Sequence, residues 1–228
     1  MYVRSPAVEE SLNEAEAAVN AGRGLSGTGF WDAVAAVKLD TDLVETHADR
    51  IASIDARAHR NWAFLIVPLW LGTTIGVVAL AGGIALIWWS YHLSDFPAVV
   101  AFLVGMGAVM GATHGLAHLI VGRLVGIRFT CWFVARITAP QPGVKVDYAT
   151  YLRTPPARRA WMHASGAIVT KTIPFLLIGA AVAADLPPWV PWALAVLGVV
   201  MVVTDILWST RKSDWKKFRR EMALAQDS

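Results

Sequence analysis

An apolar run from Pro97 to Val125 limits what this chain can fold into more than any other feature. A helix that crosses a bilayer needs about 20 predominantly apolar residues, and this run is long enough to do so. Three further apolar runs lie at Trp62–Trp89, at about Trp161–Ala184, and from Trp189 or Pro191 to about Thr210. The sequence therefore predicts an α-helical integral membrane protein with four transmembrane helices.

Charged residues make up only 16% of the chain, fewer than in an average soluble domain, and the acidic ones are concentrated before residue 61. Helical patterns there, interrupted by the glycine-rich stretch Gly22–Gly29, predict a cytoplasmic helical N-terminal arm. Met1–Asn20 lacks the basic and apolar regions of a cleaved signal peptide. The predicted organisation is an arm at 1–61, a four-span membrane domain at 62–210 and a basic, helical cytoplasmic tail at 211–228.

The distribution of Lys and Arg predicts the orientation of the spans. The links Ser90–Phe96 and Asp185–Pro188 contain neither residue type. Beyond residue 60, all Lys and Arg except Lys171 fall on the opposite side of the predicted membrane domain. Because positively charged loops stay in the cytoplasm, we expect both termini to be cytoplasmic and the protein to lie in the cell membrane.

Two β-prone runs separate the second and third predicted spans. Phe129–Ile137 is rich in aromatic and β-branched residues, and Val144–Tyr151 follows a segment with turn chemistry, Thr138–Gly143. These runs predict an inserted β-hairpin at about 128–152.

Ionisable side chains within spans are costly and mark functional sites by default. His114 and His118 are spaced i and i+4, so both rings project from one face of the second span. At about 1.5 Å per residue, His118 lies roughly 7 Å from the helix exit at Arg123, and Asp205 lies roughly 9 Å from Arg211. Two histidines and an aspartate at matched depth form a suitable zinc set with a fourth position left for water. We therefore predict a zinc site made by His114, His118 and Asp205.

Other interpretations of these residues stay open. The histidines could be polar contacts between helices, and Asp205 could pair with Lys171 instead of a metal. The protein would then be a metal-free membrane adaptor or transporter. Cys131 is the only cysteine, which excludes an intramolecular disulfide and a thiolate-cluster site.

From about Pro97 to Trp215 the chain resembles the site-2 protease family of intramembrane zinc metalloproteases. His114-Gly-Leu-Ala-His118 is similar to the HExxH motif of that family, and the predicted hairpin follows it as it does in the family. Arg158–Ala167 is similar to the basic lead-in and small-residue start of the next helix, and Asp205 falls where the family has its third ligand. The resemblance implies an intramembrane zinc metallopeptidase fold.

The chain departs from the family at the residues that carry the reaction. Gly115 stands in place of the catalytic glutamate, Ala167 and Thr170 replace a proline and an asparagine, and Ile206 replaces a glycine. Positioned general acid–base groups contribute about 10²–10⁴-fold to rates. One expectation is therefore a non-proteolytic relative, and the other is an active hydrolase in which His163 substitutes as the base.

The expected partners are the lipid bilayer and a transmembrane protein that serves as substrate or client. No nucleic-acid partner is expected.

Overall fold

The computed structural model describes residues 4–136, 139–207 and 213–226, and these residues are mostly helical. Predicted positions at Ile137, Thr138, Thr210, Arg211 and Lys212 lie outside the described residues. The elements, in chain order, are α1 (Arg4–Asn20), α2 (Phe30–Val37), α3 (Thr41–Trp62), β1 (Leu65–Pro68), α4 (Leu69–Ser90), α5 (Asp95–Leu124), β2 (Phe129–Arg136), β3 (Ala139–Val146), α6 (Tyr148–Arg153), α7 (Pro156–Ala183), α8 (Trp189–Leu207) and α9 (Asp214–Gln226).

The chain forms two compact units. The first comprises Met1–Leu69, Gly122–Arg159 and Ala223–Ser228, and the second comprises Trp70–Val121 and Ala160–Met222. Each unit is described separately below.

In the first unit, α1, α2 and α3 pack around fully buried apolar side chains that include Leu12, Phe30 and Ile51. The Asp40 side chain accepts hydrogen bonds from the backbone N–H groups of Asp42 and Leu43, so it caps the start of α3. Ion pairs between α3 and α1 join Arg50 to Glu9 and Glu16, and join Arg57 to Glu16. These contacts form a folded helical assembly at the positions where the sequence predicts a helical arm.

The same unit contains an antiparallel sheet with strand order β1-β2-β3. The β2–β3 pair agrees with the predicted hairpin in its first strand, but its second strand is Ala139–Val146 rather than Val144–Tyr151. Residues 148–153 form the short helix α6 instead, capped by Asp147. The third strand, β1, pairs with β2 from Leu65 to Pro68, within the stretch that the sequence analysis assigned to the first span.

The second unit contains helices from all four candidate spans and the C-terminal helix. α4, α5, α7 and α8 are each long and apolar enough to cross a membrane, as the sequence predicts. Only 6% of the most apolar stretch of α4 and 17% of that of α8 is buried inside the protein, so most of their apolar side chains face outward. The first candidate span begins at Leu69 rather than at Trp62.

Small residues allow α4 and α5 to approach closely. A Cβ atom built on Gly83 would lie 2.8 Å from the Gly105 carbonyl oxygen, and one built on Gly105 would lie 2.6 Å from that of Gly83. Close backbone approach at small residues is a common means of packing helices in lipid. α5, which carries both predicted histidine ligands, is thereby held against α4.

Candidate metal centre

His114 and His118 lie one helical turn apart in α5, and their rings are neighbours in space. The ring centroids are 4.8 Å apart and the ring planes are perpendicular. The His118 side chain is 11% exposed, whereas the His114 side chain is 39% exposed. The pair therefore has one buried and one accessible member.

Asp214, the first residue of α9, completes the cluster. Its Oδ2 atom lies 3.3 Å from Nε2 of His114 and 3.2 Å from Nε2 of His118. The Asp214 side chain is 19% exposed. Its other oxygen, Oδ1, accepts a hydrogen bond from Nζ of Lys217 at 3.0 Å. The Lys217 ammonium group, one turn further along α9, thus helps to direct the Asp214 carboxylate at the two imidazoles.

The start of α9 is well defined by local chemistry. The backbone N–H of Lys216 donates to the Ser213 hydroxyl, which therefore caps the helix. An acidic residue in the first turn also interacts favourably with the helix dipole. Asp214 is consequently stable as a carboxylate at this position.

Hydrogen bonds on the far side of the histidine rings fix their tautomers. Nδ1 of His118 is 2.7 Å from the Met162 carbonyl oxygen, which can only accept, so Nδ1 carries the proton. Nδ1 of His114 is 3.0 Å from the Thr170 hydroxyl, which donates its own proton to the Gly166 carbonyl oxygen. Thr170 therefore accepts from His114, so Nδ1 carries a proton in both rings and Nε2 is the atom that faces Asp214.

The backbone of α7 also packs directly on the His118 ring. A Cβ atom built on Gly166 would lie 2.8 Å from both Cδ2 and Cε1 of that ring. Real Cβ atoms do not approach other atoms this closely, so glycine at this position leaves the space that the ring occupies. The ring is consequently held between its hydrogen bond to Met162 and the surface of α7.

Three potential metal-ligand atoms therefore converge on one point. The ligand atoms of His114, His118 and Asp214 all lie within 4.8 Å of one another. Burial alone raises the pKa of Asp214, but its contacts with His114 and His118, followed by the charge of Lys217, hold that pKa well below its ordinary range. The three side chains can either share protons, as hydrogen bonds from the imidazoles to the carboxylate, or hold a cation between their ligand atoms.

Two of the three separations between ligand atoms suit zinc, and the third, between the two histidine ligand atoms, is at most 4.8 Å. Ligand atoms about 2.0–2.2 Å from a tetrahedral zinc ion lie roughly 3.3–3.6 Å from one another. The two distances from Oδ2 to the histidine nitrogens, 3.3 and 3.2 Å, are close to that value. Outer hydrogen bonds from ligating histidines to a carbonyl or hydroxyl oxygen are also typical of metal sites. The donor set and its surroundings therefore fit a zinc ion.

Asp205, the predicted third ligand, lies in a different cluster. Its Oδ2 atom forms an ion pair with Nζ of Lys171 at 2.7 Å, which is the alternative pairing that the sequence left open. The pair borders a cavity of about 280 Å³ that is otherwise lined mainly by apolar side chains and by Trp215. The structure thus brings His114 and His118 together with Asp214 and not with Asp205.

His163, the predicted substitute base, lies on α7 directly after Met162 and is half-buried. It does not belong to the three-residue cluster found among the described residues. Gly115, which stands in place of the family's glutamate, is buried in α5 between the two histidines. Among the described residues, the carboxylate that faces both histidines is that of Asp214, whose Oδ2 atom lies 3.2–3.3 Å from them.

Sequence reasoning missed Asp214 because it treated the tail as a uniformly basic segment. The available signal was a single acidic residue among six basic ones between Arg211 and Arg220, preceded by a serine that can cap a helix. The roles of Thr170 and the Met162 carbonyl depend on how α7 packs against α5 and have no sequence signature of their own.

Comparisons of the chain with protein-family models, with curated proteins and with solved structures found no match.

Proposed function

We propose that this protein is an integral membrane zinc protein in which His114, His118 and Asp214 hold the ion. The observation that carries the proposal is the convergence of three potential ligand atoms, with Nδ1 of His114 hydrogen-bonded to Thr170 and Nδ1 of His118 to the Met162 carbonyl. Convergent acceptors with fixed outer hydrogen bonds are the arrangement expected of a metal site. The four apolar helices support placement in the cell membrane, with both termini in the cytoplasm.

We further propose that the protein is a non-proteolytic relative of site-2 proteases. The order of the first three elements supports this relationship: an HxxxH helix, then strands, then a helix that packs on the histidines. Zinc with three protein ligands keeps a fourth position open and acts as a Lewis acid. Peptide hydrolysis also requires a base to accept a proton, and Gly115 provides none.

Metal analysis of the purified protein tests the zinc proposal. After exposure to zinc and passage over a chelating resin, the wild type should retain one zinc ion per chain. His114→Ala and Asp214→Asn should retain none, because each removes one of three ligands. Asp205→Asn is the matched control, since it makes the same chemical change at the other aspartate and should retain zinc in the folded protein.

Two results would contradict this assignment. Absence of zinc from the wild type would exclude the metal site and favour the metal-free adaptor or transporter. Loss of zinc in Asp205→Asn but not in Asp214→Asn would return the third ligand to the position expected from the sequence.

Hydrolysis of a reconstituted transmembrane peptide tests the second proposal. The wild type should not cleave it, and Gly115→Glu should retain zinc and gain detectable cleavage because it restores a carboxylate next to the first ligand. Cleavage by the wild type that His163→Ala abolishes without loss of zinc would show an active hydrolase with His163 as base. That result would overturn the non-proteolytic assignment.

A further inference from the structure

The three proposed ligands come from two kinds of element. His114 and His118 belong to α5, one of the four candidate spans, whereas Asp214 begins α9, which is not a candidate span. With α9 removed, α5 offers only the two imidazoles, one of which is substantially exposed. The cluster is complete only when α9 is docked.

α9 docks through one face only. Trp215 and Phe218 stack at 5.1 Å between centroids, and Phe218 meets Trp161 of α7 at 5.5 Å. Glu221, one turn further along, is fully buried. Lys216, Arg219 and Arg220 are exposed on the rest of the helix. The helix is thus an amphipathic segment with an aromatic docking face and a basic outer face.

The N-terminus of α9 gains a metal–ligand bond from docking when a cation is present. Docking moves the Asp214 carboxylate to within 3.3 Å of two Nε2 atoms. With a cation at the site, this approach makes a third ligand bond that the undocked helix cannot make. Docking and metal binding must then favour each other by the same factor.

We propose that α9 is a latch closed by the metal, so that zinc binding holds the C-terminal helix on α7 and loss of zinc releases it. This inference rests on the zinc proposal above and adds a conformational consequence to it. The opened state would expose the aromatic face of α9 together with the two histidines, so that the latch controls access to the metal position.

Hydrogen exchange of the full-length protein, with zinc and with a chelator, tests the latch. If zinc binds only the docked form, free zinc at about 100 times its Kd lowers the opening equilibrium about 100-fold. Exchange of the α9 amides should slow by that factor, while the amides of α3 serve as an internal reference. In Asp214→Asn, exchange of α9 should be insensitive to zinc.

A reciprocal measurement uses Phe218→Ala, which removes a docking contact without touching any ligand. It should weaken zinc affinity and α9 protection together, each by roughly tenfold, as expected for loss of an aromatic contact. Lys216→Ala is the matched control on the exposed face of the same helix and should change neither quantity. Direct loss of a ligand would instead abolish zinc binding.

The outcomes separate the latch from the zinc proposal. If the wild type binds no zinc, the zinc proposal fails and the latch fails with it. If it binds one zinc ion per chain but α9 exchanges equally fast with zinc and with chelator, the latch alone is overturned. Unchanged zinc affinity in folded Phe218→Ala would also overturn it.

Discussion

At Gly166 the backbone of α7 and the ring of His118 come closest, and a single methyl group should disrupt their contact. Gly166→Ala would place a Cβ atom 2.8 Å from two ring carbons of His118, on a helix backbone that cannot easily move. We expect the ring to be displaced and zinc affinity to fall by at least about tenfold, as when an outer support of a metal ligand is lost.

Gly179→Ala is the matched control for that experiment. Gly179 lies in the same helix, α7, and a Cβ atom there would meet nothing within 4 Å. Alanine in a helix interior is favoured over glycine by about 1 kcal/mol, so this variant should bind zinc normally and be equally or more stable. Equal zinc affinity in both alanine variants, measured by competition with a chelating dye, would show that Gly166 does not position His118.

His59 should make the first unit sensitive to acid. Its ring packs edge-on against Phe133, with 4.6 Å between centroids, and its Nε2 atom is buried with no hydrogen-bond partner in the described part of the chain. Burial, followed by the charge of Lys145, lowers the pKa of His59 from 6.5 to about 4. The folded protein therefore binds a proton at His59 more weakly than the unfolded chain does.

The sign of the effect follows from this lowered pKa. The contribution of His59 to stability is fully present above about pH 6.5 and is lost as the pH falls towards 4, by at most about 1.4 kcal/mol per pH unit. His59→Phe keeps an aromatic ring and removes the titration. Below pH 6.5 the wild type should become less resistant to proteolysis within α1–α3 relative to His59→Phe as the pH falls. Above pH 6.5 the difference between the two proteins should no longer depend on pH. A constant difference would contradict the assignment.

At the scale of elements, the ion pair between Lys171 and Asp205 joins α7 to α8. Removing one partner of a buried pair typically costs about 3–5 kcal/mol, while replacing both by apolar residues is often neutral. Lys171→Met should therefore lower the melting temperature in detergent more than the double variant Lys171→Met/Asp205→Leu. A lower melting temperature for the double variant than for Lys171→Met would contradict this prediction. It would show that the apolar replacement is worse than leaving Asp205 without its partner.

Helical periodicity and apolar length were sufficient to predict the four long helices, but they could not separate β1 from α4. Leu65–Pro68 belongs to an unbroken apolar stretch, and a short apolar run fits a buried strand and a helix equally well. The pairing of Leu65 with Val134 and of Pro68 with Cys131 assigns it to the sheet, and that pairing spans more than sixty residues of sequence. No local pattern encodes it.

The position of β3 was misjudged for a different reason. Pro140, Pro142 and Gly143 are typical of a turn, yet Pro142 pairs with Val134 in the ladder. β3 is an edge strand, where a proline without an N–H is tolerated.

The choice of Asp205 as third ligand failed for another reason. It was based on depth, estimated from the axial rise along a helix, and this estimate cannot place Asp214, which lies beyond the end of α8.

At the scale of the whole molecule, the outward surface of the second unit is strongly apolar. Trp70, Leu176 and Trp192 are each at least 70% exposed, and many aliphatic side chains of α4 and α8 are also exposed. Soluble monomers rarely expose contiguous apolar patches of more than a few hundred Å². Lipid would cover this surface without the cost of hydrating it.

The last prediction concerns how the four spans cross the membrane. The links between α4 and α5 and between α7 and α8 lack Lys and Arg, whereas basic residues flank the other ends of these helices. Short loops rich in Lys and Arg stay in the cytoplasm, so reporters fused after Ser94 and after Pro187 should both report the external face. A fusion after Arg153, near the basic segment, is the control and should report the cytoplasm. A cytoplasmic signal at Ser94 or Pro187 would mean that one of the apolar helices does not cross the membrane. The predicted topology, which places α9 on the same side as the end of α5, would then have to be revised.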